Sequence, residues 1–351
     1  MNIIDFNAAS PIDDVFYGGD GGPKTPIWFD GDVWMLKWPK STKTTQSPHL
    51  SYTTNPLSEY LGSQIYRSIG IPAHSTLLGV RSGKVVVACK DFTFENGREI
   101  ARLVPFNEIK NRHMASDLDS YSGTGSGTLL SEVLDTLHNQ PTLRSTSGVQ
   151  EHFWDMFIID ALIGNNDRNN GNWGLLQSLN NRSYSLAPVF DNGAAFFNKR
   201  SVEQFTQRSL DAHLLRDDTY GSPRCAFTEI RHDGQQHHIK PFDFITQGRS
   251  SECSQALSRI MSKIDMEEID RIIDDIPTSA YGLDIMPDIQ RDFYKRIIHI
   301  RYTEKLLPAL ENIAKLAAPK PHLIMGKADV QDAAHSASYA KSPTPKSQGL
   351  D

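Results

Sequence analysis

Residues 160–176 read Asp-Ala-Leu-Ile-Gly-Asn-Asn-Asp-Arg-Asn-Asn-Gly-Asn-Trp-Gly-Leu-Leu, and residues 189–193 read Val-Phe-Asp-Asn-Gly. The first run places Asp167 and Asn172 on one polar loop, and the second places Asp191 on another. An aspartate, an asparagine five positions later and a later Asp-x-Gly at a strand end form the set that kinase-type phosphoryl transfer uses. One carboxylate receives the acceptor proton, and two oxygen ligands hold magnesium. The spacing therefore predicts Asp167 as the base and Asn172 and Asp191 as metal ligands.

The segments beside these loops predict a rigid support. Residues 149–163 form a helix pattern that is apolar nearly all round, which is typical of a buried helix. Residues 173–176 and 184–190 predict a hairpin about Asn180-Asn181. This hairpin would return Asp191 toward Asp167.

A glycine-rich stretch precedes two predicted strands near the amino terminus. Phe16 and Tyr17 predict a short strand before it, and Lys37 lies near the end of the strand that reads Val-Trp-Met-Leu-Lys-Trp. Glycines let backbone N–H groups approach phosphate oxygens, and a lysine on a neighbouring strand can offset the phosphate charge. The predicted phosphate loop consists of Gly18, Gly19, Gly21 and Gly22. A mobile surface turn and a solvated lysine are the alternatives.

A helix and a strand complete the predicted nucleotide site. Asn55 is the predicted cap of a helix that has Pro56 in its first turn and ends at Gly70. Glu59 lies off the apolar stripe of this helix and is the candidate partner of Lys37. The alternative for Glu59 is a solvated helix glutamate. The strand at 84–90 runs into a polar connector, so a hinge facing adenine is predicted at Ala88, Cys89 and Asp91. A second glycine loop, 123–127, is interpreted as a flexible connector.

Composition narrows the class of protein. A chain of 351 residues favours two lobes, and its net charge of -6 argues against direct nucleic-acid binding. Three scattered cysteines favour a reducing compartment. Neither a signal peptide nor an apolar run of membrane-spanning length is apparent, so a cytoplasmic location without a membrane partner is expected, and export by another route stays open.

The run Asn166-Asp167-Arg168-Asn169-Asn170-Gly171-Asn172, followed by Phe190-Asp191-Asn192-Gly193, resembles the HipA-like kinases, particularly compact members without the extra amino-terminal subdomain. The likeness extends from Phe16 to the helices before the tail. It implies a two-lobed protein-kinase-like fold, use of ATP and Mg²⁺, and phosphorylation of protein serine or threonine. Several members are toxins held in check by a partner, so an inhibitory antitoxin-like protein is implied too.

The resemblance implies a role for each matched residue, with two departures. Asp167 would be the base, Lys37 the phosphate-pairing lysine, and Gly18–Gly22 the phosphate loop, with Asn172 and Asp191 on the metal. Many relatives have histidine where this chain has Asn169, and many toxins carry a regulatory serine in the glycine loop, which this loop lacks. The loop is also similar to type II phosphatidylinositol 4-kinases.

We therefore predict an α+β, two-lobed protein-kinase-like fold. Residues 1–92 would form a small antiparallel-sheet N-lobe, residues 93–316 a larger and mainly helical C-lobe, and residues 317–351 a flexible tail. The predicted activity is ATP- and Mg²⁺-dependent phosphorylation of a protein serine or threonine, of the type found in kinase toxins. The alternatives are a phosphoinositide kinase and a nucleotide-binding pseudokinase scaffold.

Overall fold

A computed structural model describes residues 1–18, 23–42, 51–117 and 123–317 of the chain. The described residues up to Ile313 form one compact unit, and residues 314–317 belong to a second. Three of the predicted phosphate-loop glycines, Gly19, Gly21 and Gly22, lie outside the described residues, as does the predicted tail beyond residue 317.

A six-stranded sheet dominates the amino-terminal third. The described strands are β1 (Ile4–Asp5), β2 (Ser10–Pro11), β3 (Lys24–Phe29), β4 (Asp32–Lys37), β5 (Thr76–Arg81) and β6 (Lys84–Lys90). Their order is β1-β5-β6-β4-β3-β2, and every pairing is antiparallel except that of β1 with β5. The register of β3 on β4 places Lys24 opposite Lys37. Two lysines therefore lie side by side at one end of this sheet.

A second, three-stranded sheet carries the hairpin predicted between the two polar loops. The strands that follow β6 are β7 (Phe94–Glu95), β8 (Arg98–Glu99), β9 (Ala101–Pro105), β10 (Gly174–Ser178), β11 (Tyr184–Leu186), β12 (Thr228–Ile230), β13 (Gln236–His238), β14 (Ser279–Ala280) and β15 (Leu283–Asp284). Strand β10 lies between β9 and β11, antiparallel to both. Because β10 begins two residues after Asn172, this sheet anchors the end of the first polar loop.

Helices make up most of the rest of the described chain. They are α1 (Asn55–Ser68), α2 (Phe106–Asp117), α3 (Leu130–Asn139), α4 (Pro141–Ser145), α5 (Val149–Ile163), α6 (Val202–Leu210), α7 (Ala212–Arg216), α8 (Pro241–Thr246), α9 (Ser251–Met261), α10 (Met266–Asp274), α11 (Asp288–Arg301) and α12 (Leu307–Ala317). Two π-helical turns occur at Asp217–Gly221 and Tyr302–Leu306. Among the described residues, no helix is both long enough and apolar enough to span a membrane.

The two faces of the large sheet belong to different cores. One face packs on the apolar side of α1 and joins the main core, in which α5 is buried along nearly its whole length. The other face forms a small core in which Phe6 packs with Ile27, Leu36 and Val86. The amino-terminal residues thus close the outer face of the sheet, so that α1 is held between the sheet and the helical body.

Two predictions at the start of the chain are wrong. No strand forms at Phe16 and Tyr17; Phe16 is 88% exposed, and the strand that precedes the glycines is the two-residue β2. The cap of α1 is Thr54 rather than Asn55, whose side-chain oxygen accepts a hydrogen bond from the Lys40 backbone N–H instead. At Asn55 a contact with a neighbouring segment therefore outweighs the local preference.

Candidate active site

The side chains of Lys37, Glu59 and Asp191 meet at the end of β4. Lys37 Nζ lies 2.9 Å from Glu59 Oε2 and 3.0 Å from Asp191 Oδ1. Burial alone would lower the pKa of Lys37, but the carboxylates of Asp191 and Glu59 outweigh burial and raise it. Lys37 is therefore a fixed cation, although it is almost completely buried.

Glu59 is held on its other side by two partners that sequence analysis did not identify. Its Oε1 lies 2.9 Å from His74 Nε2 and accepts a hydrogen bond of 3.0 Å from the backbone N–H of Asn192. Burial alone would raise the pKa of Glu59, but Lys37 and His74 outweigh it and hold that pKa below its usual range. Since Asn192 follows Asp191, Glu59 links α1 to the loop that carries the second predicted metal ligand.

Backbone geometry at this second loop is unusual. Asp191 has φ of 61°, a left-handed conformation that is uncommon outside glycine and frequent at functional sites. The side-chain amide nitrogen of Asn192, Nδ2, donates to Ser63 Oγ at 3.1 Å. Gly62 permits this approach, because a Cβ there would lie 2.6 Å from Asn192 Cβ.

Arg168 joins the two polar loops. Its guanidinium donates to both carboxylate oxygens of Asp160 on α5, and to the backbone carbonyls of Asn172 and Phe190. It also donates to Asn192 Oδ1. Burial alone would lower the pKa of Arg168, but the effect of the Asp160 carboxylate is larger and raises this pKa. Because Asn172 and Phe190 accept from the same nitrogen, the loops that carry the predicted metal ligands lie side by side.

Asp167 is exposed, and its carboxylate is oriented by Asn169. Asn169 Nδ2 donates to Asp167 Oδ1 at 2.9 Å, while its own Oδ1 accepts from the Gly171 backbone N–H at 2.8 Å. Asn172 Nδ2 donates to the backbone carbonyl of Asp167 at 2.7 Å. Asn169 thus makes an aligning contact at the position where many HipA-like kinases have histidine.

The second glycine loop packs against this loop and is not a flexible connector. Asn170 Nδ2 donates to the carbonyls of Gly125 at 3.0 Å and Gly127 at 2.7 Å. Buried Lys110 also donates to the Gly127 carbonyl, at 2.6 Å. Gly125 has φ of +70°, and a Cβ there would lie 1.9 Å from the Asn107 carbonyl oxygen. A glycine is therefore required at position 125 for close approach, a requirement that the spacing of the glycines alone could not distinguish from mobility.

Both ends of the first glycine loop are fixed beside the lysine strand. Tyr17 OH donates to Asp91 Oδ2 at 2.7 Å, and Lys24 Nζ donates to the Gly18 carbonyl at 2.6 Å. Burial and, next, the nearby ammonium of Lys37 lower the pKa of Lys24. Lys24 is thus a second cation close to Lys37. Its position shortly after the glycines in the sequence is the signal that could have identified it as a further residue of the predicted phosphate site.

The predicted hinge residues Ala88 and Cys89 do not face a cleft. Both are at most 1% exposed and lie inside β6, paired with β4 on one side and β5 on the other. Their backbone groups are therefore engaged in the sheet, and the prediction that they contact adenine is wrong. Asp91 lies beyond the end of β6, where its carboxylate also accepts from the backbone N–H and hydroxyl of Thr93.

The chain is similar in sequence and in structure to a known protein kinase. No protein-family model matches the chain. The chain is 32% identical over 356 residues to the serine/threonine-protein kinase CtkA of Helicobacter pylori strain J99, covering 99% of each protein. It is similar to the crystal structure of a Helicobacter pylori proinflammatory kinase CtkA, with a TM-score of 0.77 and 29% identity over 90% of this chain and 100% of that one.

A more remote likeness is to HipA of Shewanella oneidensis MR-1, solved as a toxin–antitoxin complex with HipB and operator DNA. Its TM-score is 0.46 and its identity 10%, over 86% of this chain and 69% of that one, and no inference follows from it. The similarity to CtkA confirms the predicted α+β, two-lobed protein-kinase-like fold.

Proposed function

This chain belongs to the HipA-like serine/threonine-protein kinases, the family of CtkA, and from this premise we propose that Asp167, Lys37, Asn172 and Asp191 transfer phosphate from ATP. The observation that carries the proposal is the continuous network from Lys37 through Glu59 and Asn192 to Arg168 and the Asp167 loop. A lysine–glutamate ion pair beside a metal-binding aspartate is the arrangement that kinases need for turnover.

Each residue then has a chemical role. The exposed carboxylate of Asp167 accepts the proton of the serine or threonine hydroxyl, whose oxygen attacks the γ-phosphorus as the bond to the bridging oxygen of ADP breaks. Lys37 offsets the phosphate charge, and Glu59 fixes its ammonium in place. Lys24, close to Lys37 on the neighbouring strand, supplies further positive charge.

Asn172 and Asp191 fit a magnesium ion as ligands. Both offer oxygen atoms, which Mg²⁺ prefers, and Lys37 pairs with only one oxygen of the half-buried Asp191 carboxylate. Bound there, Mg²⁺ would neutralise charge on the phosphates.

The HipA-like resemblance is the support for one further proposal, that an antitoxin-like protein partner inhibits the enzyme.

Replacement of the proposed base tests the proposal. Asp167→Ala should lower phosphate transfer to a generic protein by about 10²–10⁴-fold, since that is the usual contribution of a general base. It should leave the thermal shift produced by ATP with Mg²⁺ unchanged. Asp292→Ala, which removes an exposed aspartate from α11, is the matched control and should keep the parent's rate. Transfer by Asp167→Ala at the parent's rate would show that another residue is the base. A parent that ATP stabilises but that transfers no phosphate would be a pseudokinase.

A further inference from the structure

A cavity of about 320 Å³ lies beside the catalytic loop. One wall is the end of α5 with Asn165 and Asn166, and the opposite wall comes from residues 194–200 and 222–225, which follow Asp191 in the chain. Asn166 directly precedes Asp167, and Asn165 Oδ1 accepts a hydrogen bond from the Asp167 backbone N–H at 3.2 Å. The cavity is therefore continuous with the loop that carries the proposed base.

Basic side chains outnumber acidic ones in this cavity. Its lining includes four cations and one carboxylate: Lys199, Arg200, Arg224, Arg301 and Asp160. Both oxygens of that carboxylate already accept hydrogen bonds from Arg168. The whole chain has a net charge of -6, so the excess of positive charge here is local. A cavity lined by one sign of charge attracts ligands of the other sign.

Arg301 is the deepest of these cations, with 1% of its surface exposed. Its guanidinium donates to the backbone carbonyls of Leu162, Asp218 and Thr219. Within the described part of the chain, no carboxylate lies within 4.0 Å of it. Burial lowers the pKa of Arg301 to about 9. The Asp218 carboxylate acts against this lowering, but it is itself paired with Arg200 and Arg208. A buried cation whose charge is only partly compensated is unfavourable, so an anion in the cavity would be stabilised.

Two further cations at the cavity are accessible from solvent. Lys199 and Arg224 are exposed, and Arg224 Nη1 donates to the backbone carbonyls of Ser222 at 2.6 Å and Pro223 at 3.0 Å. Neither side chain has a carboxylate partner among the residues that the structure describes. Arg200, by contrast, shares the Asp218 carboxylate with Arg208. Lys199, and the guanidinium nitrogens of Arg224 other than Nη1, are thus available to a side chain that arrives with the substrate.

We propose that this cavity binds an aspartate or glutamate side chain of the protein substrate, close in sequence to the phosphorylated serine or threonine. The inference rests on the proposed function. The cavity is within reach of side chains a few residues from the acceptor only if Asp167 holds the acceptor hydroxyl. It assigns the kinase an acid-directed specificity, with Lys199 and Arg224 at the entrance and Arg301 at the base of the cavity.

Peptide phosphorylation tests this specificity. Peptides with one acceptor serine carry a single Glu or Gln at each position around it, and kcat/KM is measured for every pair. At one position the parent should prefer Glu by about tenfold, as expected for a partly desolvated charge pair. The double variant Lys199→Gln/Arg224→Gln should lower that ratio to about twofold or less. The ratio is taken within one protein, so a general loss of activity cancels.

Arg144→Gln is the matched control, because Arg144 is an exposed arginine on α4, away from the cavity lining. It should retain the parent's preference. A parent without preference for Glu at any position would overturn the inference, and so would a double variant with the parent's ratio.

Direct binding separates this inference from the proposed function. Fluorescence anisotropy of the labelled Glu and Gln peptides, without nucleotide, needs no turnover. Tighter binding of the Glu peptide to the parent than to the double variant would support the cavity assignment even if no phosphate were transferred. Equal binding by the two proteins would overturn the assignment even if transfer were efficient.

Discussion

Replacing Arg168 with lysine should separate the two polar loops while keeping the positive charge. Arg168 donates five hydrogen bonds, two of them to the Asp160 carboxylate and the others to Asn172, Phe190 and Asn192. A lysine ammonium has three N–H donors on one nitrogen, so at least two of these bonds are lost. Hydrogen bonds to charged groups contribute about 1.5–3 kcal/mol each, so Arg168→Lys should lower the free energy of unfolding by about 3 kcal/mol or more.

Denaturant unfolding and kcat should be measured on the same preparations. The matched control is Arg259→Lys, because Arg259 pairs with Asp155 on the same helix, α5, but its side chain is 33% exposed. That variant should lose about 1 kcal/mol or less and keep the parent's kcat. Arg168→Lys should lower kcat too, because Asn172 and Asp191 lose their common anchor. If Arg168→Lys unfolded within about 1 kcal/mol of the parent and kept full activity, the bridging role would be refuted.

Three further predictions concern α1, α5 and the first residue of β3. Gly62→Ala should destabilise the protein by about 1–3 kcal/mol in urea unfolding, because the new methyl group meets Asn192; the usual stabilisation by alanine in a helix would contradict this packing. Burial lowers the pKa of His152 to about 4 in the folded protein. On acidification the unfolded chain therefore binds a proton at a higher pH than the folded protein does, so the free energy of unfolding should fall as the pH drops from 6.5 to 4. This loss is on the order of 3 kcal/mol, and urea unfolding of His152→Gln should lack it. Lys24→Gln should raise the KM for ATP several-fold and leave the KM for the protein substrate unchanged, and an unchanged KM for ATP would exclude Lys24 from the phosphate site.

The catalytic loops are the part of the protein that local sequence describes best. The residues that we propose as base and metal ligands, Asp167, Asn172 and Asp191, lie on short turns at a fixed spacing, so they can be selected without knowledge of the fold. The strands around Lys37 and the buried helix α5 are equally local, because side-chain periodicity reports which face of an element is covered. The α+β class follows from the same patterns.

The network behind these loops was not predictable in the same way. His74 meets Glu59, and Arg168 meets Asn192, across separations in the chain that no periodic pattern records. The residue pattern of β6 predicts a strand but not which strands pair with it. The sequence therefore cannot show that Ala88 and Cys89 lie in the middle of the sheet, between β4 and β5.

The sequence by itself predicted the chemistry proposed for this protein, because side chains of the required types lie at the required spacing along two turns. The tertiary structure alone decided how those turns are held and which cations gather beside them. The reason is physical: buried charges such as Glu59 and Arg168 are stable only where partners from distant segments satisfy them, and only folding selects those partners.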